Sequence, residues 1–192
     1  MWAAAEGHAD VVAALIDAGA NVDEHSDLFD APEPHPDRLE GGFAYPQIPR
    51  GQLTALHFAS RQGRLEAART LIEAGADLNA VDEDGANALI LATLNSHFDL
   101  AGMLLDAGAD PNVADIYGRT VLFVAVDLDM AGDTPETGSE DELAPIDIVK
   151  LALAKGAKAD APLSQGVPDN APVPDAKRFI DSWRILDPSE HP

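Results

Sequence analysis

Thr54, Asn87 and Thr120 open three segments that align with one another at a spacing of 33 residues. "TALHFASRQGRLEAARTLIEAGADLNAVD" matches "NALILATLNSHFDLAGMLLDAGADPNVAD", and the third segment opens "TVLFVAVDLD". The first residues, "MWAAAEGHADVVAALIDAGANVD", fall on the same template, with Met1 in the register of His57, Trp2 of Phe58, Gly7 of Gly63 and Gly19 of Gly75. A fixed period of this length constrains the fold more than composition does, because each unit carries an apolar face that only a neighbouring unit can bury. A stack built one unit at a time is therefore expected.

Within each unit the pattern is that of a helical hairpin. Ala3, Ala59, Ala92 and Ala125 recur where two helices cross closely, and the pairs Leu15 and Ile16, Leu71 and Ile72, and Leu104 and Leu105 supply the bulk of the core stripe. Gly19, Gly75, Gly108 and Gly156 follow the second helix, where a left-handed residue closes the helix end. With Gly85 and Gly118, Thr54 and Thr120, Leu56, Leu89 and Leu122, and the runs "AGAN", "AGAD", "AGAD" and "KGAK", these landmarks resemble the ankyrin repeat. The resemblance covers about residues 1–25 and 52–160. It implies an all-α ankyrin-repeat solenoid of about four stacked helix-turn-helix repeats, with two inserted loops and a C-terminal helix. The expected units are a truncated first repeat at 1–25, an inserted loop at 26–51, repeats at 52–84, 85–117 and 118–160, and a linker with a capping helix at 161–192.

The departures from the period are informative. The first unit lacks its turn and the opening of its first helix, so an origin in a longer chain is expected. Between the first two units, "EHSDLFDAPEPHPDRLEGGFAYPQIPRGQ" is rich in Pro and Gly and carries Phe29, Phe43 and Tyr45, which favours an ordered loop over a spacer. Gln52 stands where later units have Gly85 and Gly118, so its turn is expected to differ from theirs. The fourth unit holds an acidic insertion at 129–145, whose spacing does not fit an EF-hand and which reads as a solvated loop and not a calcium site. In the tail, "AKRFIDSWRILD" reads as an amphipathic helix with Phe179, Ile180, Trp183 and Leu186 near one face.

Composition narrows the partner. The formal charge of −22, from 34 acidic against 12 basic residues, disfavours nucleic acid and anionic membranes and favours a basic protein partner. The absence of cysteine excludes disulfides and thiolate chemistry. No apolar run has the length of a membrane span, and composition suits a bacterial cytoplasm, slightly favoured, or a periplasm. Of the six histidines, His57 falls in the "TALH" position, where the resemblance implies a tie between backbone groups of adjacent turns. No Gly-rich phosphate loop, H-E-x-x-H or G-x-S-x-G is present, so no catalytic residues, metal site or cofactor are expected.

What the resemblance implies instead is a non-catalytic protein-protein interaction module, expected as a monomer, that binds through its concave side. Carried over position by position, the partner-binding residues are Glu83, Asp84 and Ala86 at one turn and Ile116, Tyr117 and Arg119 at the next. Arg61, Gln62, Leu94, Asn95, Asp127 and Leu128 follow on the first helices. The alternative is the scaffold portion of a larger enzyme or envelope protein whose active or anchoring domain lies outside these residues.

Overall fold

The computed structural model of the chain describes residues 1–27, 51–131 and 141–160. Eight helices occur among them: α1 (Trp2–Glu6), α2 (Ala9–Asp17), α3 (Ala55–Arg61), α4 (Leu65–Glu73), α5 (Ala88–Leu94), α6 (Phe98–Ala107), α7 (Val121–Ala131) and α8 (Pro145–Ala154). They form four hairpins, α1–α2, α3–α4, α5–α6 and α7–α8. The first helices α1, α3, α5 and α7 pack in one row and the second helices α2, α4, α6 and α8 in another, which makes a two-layer solenoid. The inserted loop at 28–50, the acidic segment at 132–140 and the tail from 161, with its expected capping helix, lie outside the described residues.

The alanines expected at the helix crossings are there: Ala59, Ala92 and Ala125 are wholly buried and Ala3 nearly so. Leu71, Leu104 and Leu105 are core residues, but Leu15 is not. It shares the register of Leu71, yet no described repeat packs against the first unit on that side. Each second helix is followed by a left-handed glycine, Gly19, Gly75, Gly108 and Gly156. A Cβ there would meet nothing, so backbone conformation and not crowding calls for glycine.

The turn at Gln52 matches the others in one torsion and differs in its bonding. Its φ of 59° lies close to the 73° of Gly85 and 76° of Gly118, but those glycines donate to the Asp82 and Asp115 carbonyls of their own turns, whereas Gln52 bonds outside its turn. Neighbouring bonds hold it there. Gln52 N–H donates to the Ser26 carbonyl at 3.1 Å, Ser26 N–H donates to the Leu53 carbonyl at 2.9 Å, and the His25 ring bonds the Gln52 carbonyl at 2.8 Å. These pairings also close the stem from which the first insertion leaves.

The second insertion is anchored differently. Helix α7 continues to Ala131 and α8 begins at Pro145, so both flanks of the expected 129–145 insertion are helical. Its exit is fastened to α6 by reciprocal bonds. Phe98 N–H donates to Asp141 Oδ2 at 3.1 Å, and the amides of Glu142 and Leu143 donate to the Asp99 carboxylate at 3.0 and 2.9 Å. Gly102 makes room for the adjoining Leu143, whose Cδ1 would sit 2.6 Å from a Cβ at that position.

Candidate protein-binding surface

The turns between repeats are organised by one carboxylate each. Asp82 Oδ1 accepts the amides of Asp84 at 3.0 Å and Ala86 at 2.9 Å. Asp115 Oδ1 accepts those of Tyr117 and Arg119, both at 2.9 Å. Such local bonding is the reason Asp suits this position, since its short side chain replaces missing backbone partners. The turns also join each other: Ile116 N–H donates to the Asp84 carbonyl at 2.8 Å. The tips therefore form a continuous edge.

Burial pushes the Asp82 carboxyl up to about 6, opposed by the Ala86 amide and reinforced by the neighbouring Asp84 charge. Asp115 is only 6% exposed and keeps its charge matched, because Arg119 meets its Oδ2 at 2.7 Å. The same guanidinium lies 5.0 Å from the centre of the Tyr117 ring. Tyr117 is thus held by its own turn.

His57 secures the start of α3. Thr54 N–H donates to its Nδ1 at 3.0 Å, so that nitrogen is unprotonated and Nε2 carries the proton, which it donates to the Ala80 carbonyl at 3.0 Å. The ring thereby ties the start of α3 to the segment after α4 that leads into the next turn. Burial holds it down at about 4, in spite of the Ala80 carbonyl that favours protonation. Ile90 and Phe123 occupy this register in the later units, so the tie is made at one junction.

The sequence-derived positions fall on two contiguous strips. Arg61 and Gln62 close α3, Leu94 and Asn95 close α5, and Asp127 and Leu128 lie in α7, so these pairs stack along the row of first helices. Gln62 and Asn95 are exposed, while Arg61, Leu94, Asp127 and Leu128 are half-buried. Leu128 spends its apolar surface against the core. On the turn strip Glu83 is exposed and Asp84, Ile116, Tyr117 and Arg119 are half-buried. Ala86 is only 4% exposed, so its side chain faces inward and offers no contact.

One feature of this surface escaped the sequence reading. Trp2, Glu6, Phe58, Arg61, Gln62 and Arg64 line a cleft of about 250 Å³ between α1 and α3. Trp2 is 79% exposed and shares its register with Phe58, and Arg61 lies 5.2 Å from the centre of the Phe58 ring. The signal was present as two aromatics at one register with an arginine a turn beyond the second. Among the described residues, no group of three or more His, Asp or Glu is placed to hold a metal ion. No described helix is long and apolar enough to cross a membrane.

A family model for ankyrin repeats, in three copies, matches residues 1–115. The match covers the first three hairpins and ends at the turn before α7; the acidic insertion lies further on, between α7 and α8.

Proposed function

The chain belongs to the ankyrin repeat family, and from that premise we propose that it is a non-catalytic module binding a protein partner across its first helices and turn tips. Ankyrin repeats are generally protein-protein interaction modules. The observation that carries the reading is the pair of strips just described. Gln62, Asn95 and Glu83 stay exposed although their neighbours in sequence build the core, and the backbone beneath them is fixed by helix packing and Asp-centred turns. A surface fixed before binding loses little conformational freedom on association. The net charge of −22 favours a partner of net positive charge and speeds the encounter at low salt.

A photo-crosslinking residue placed at Asn95 in the full chain, in its own cells, tests this. It should give defined protein adducts that the same residue at Glu73, exposed on the second-helix row, does not give. Adducts from neither position, or equally from both, would remove the proposal. Tyr117→Ala should weaken partner binding while leaving thermal unfolding nearly unchanged.

A further inference from the structure

We infer that the cleft between α1 and α3 seats an acidic segment of the partner protein, one that presents an apolar side chain beside a carboxylate. The inference rests on the protein-binding reading and names what one end of that surface takes. Trp2 and Phe58 form two aromatic walls from consecutive repeats, and Trp2 exposes most of its surface to water. Further along the row their register is held by Leu91 and by the buried Val124, so the aromatic cleft belongs to this end. Its volume of about 250 Å³ lies below the range of pockets for drug-sized ligands and suits a side chain or two.

Charge decides which side chains. Arg69, Arg119, Lys150 and Lys155 each meet a carboxylate. Among the described residues Arg61, Arg64 and Lys158 meet none, and of these the two arginines line the cleft, in a chain whose acidic residues outnumber the basic ones 34 to 12. Glu6 lines the same cleft and forms no ion pair with either. Both guanidinium groups are positioned in advance: Arg61 by the Phe58 ring, and Arg64 by its Nε–H donating to the Ala5 carbonyl at 3.0 Å. The Arg64 stem also lies against Gly7, where a Cβ would come within 3.0 Å of it. A guanidinium held in place offers its remaining N–H groups to a carboxylate with less entropy lost than a free one.

This local sign does not conflict with the overall field. Net charge steers partners over distances up to the Debye length, and the groups in contact set what is anchored. A polyanion such as nucleic acid would meet the whole acidic surface, whereas a peptide with one or two carboxylates meets mainly the cleft.

Display of random short peptides, selected on the full chain, is the test. Enriched sequences should place Asp or Glu next to Leu, Phe or Trp. Their affinity should fall on the order of tenfold for the Arg61→Gln, Arg64→Gln double variant and for Trp2→Ala. Thermal unfolding of these variants should match the parent, and Glu73→Gln should bind as the parent does. Basic enriched sequences, undiminished binding to the double variant, or displacement of the peptide by a short oligonucleotide would overturn the cleft assignment. If no peptide is enriched while Asn95 still gives crosslinks, the cleft assignment alone falls. If both fail, the protein-binding reading falls with it.

Discussion

Leu15 and Leu71 occupy the same register of their repeats, yet Leu71 is 2% exposed and Leu15 is 48% exposed. Val11 and Leu100 make a second such pair, at 45% and 2%. The side chains are alike and so are their helices; among the described residues, what differs is a neighbouring repeat on that side. A helical hairpin of this kind has an apolar face on each side and can cover neither alone. At the other end of the described array, Val126 and Leu153 are exposed where Thr93 and Leu105 are fully buried. Position in the stack, more than residue type, therefore sets what each leucine contributes.

The sharpest way to break this comparison is to truncate both leucines. Leu71→Ala should cost about 2–5 kcal/mol, the range for removing a fully buried leucine. Leu15→Ala should cost less than ~1 kcal/mol, because much of its surface already meets water. Urea unfolding of the full chain, followed by circular dichroism, reads both. Equal losses would mean that something covers Leu15 in solution.

Acid should act on one interior junction and leave the ends alone. His57 is neutral in the folded chain, held down at about 4, while an unfolded histidine titrates near 6.5. Between those values the unfolded chain takes up a proton that the folded chain refuses, so stability falls as pH falls. The full contribution is ~3 kcal/mol, present above 6.5 and lost as the pH drops through 4. Asp82 opposes it: with its carboxyl raised to about 6, the folded chain binds that proton first, and stability gains as pH falls from 6 towards 3.8. His57→Ala should lower stability at neutral pH by about 2 kcal/mol and flatten the acid limb. Asp82→Asn should steepen it. Amide hydrogen exchange at pH 4.5 should show α3 and the following turn opening before α6. Parallel pH profiles for all three chains would refute the assignment.

How far the sequence reveals such differences follows from what each one depends on. The hairpins, the buried alanines and the glycine-closed helices are properties of the repeat, and they recur at its period. Exposure of Leu15 depends on a neighbour, which no feature of Leu15 encodes. The turn at Gln52 departs from the period in residue and in bonding, yet it keeps a left-handed φ that residue type does not announce. The backbone pairing of Ser26 with Gln52 and Leu53 holds a non-glycine residue at a φ of 59°. The cleft at Trp2 is hidden for another reason: Trp2 comes from one repeat and Arg61 and Arg64 from the next, and only the packing of α1 on α3 brings them together. Ala86 went the other way, since its place in a turn tip suggested contact and its 4% exposure denies it.

The smallest expected effect concerns the junction between the interior repeat and the fourth. Alanine at an interior helical position is favoured over glycine by about 1 kcal/mol, so Gly102→Ala gains helix stability. Against that, the new Cβ would come within 2.6 Å of Leu143 Cδ1, and Leu143 is held nearby by the bond from its amide to Asp99. Crowding of this kind costs about 1–3 kcal/mol when the neighbour cannot move freely. The single variant should therefore lie between neutral and ~2 kcal/mol destabilised. In the Leu143→Ala background the crowding is gone, and the same substitution should stabilise by up to ~1 kcal/mol. Only a double-mutant cycle separates these terms, because neither single variant isolates the contact. A coupling near zero would show that Leu143 turns aside without cost. The fastening of the fourth repeat would then rest on the Asp99 and Asp141 bonds, and Asp99→Ala would loosen α8 more than any change at Gly102.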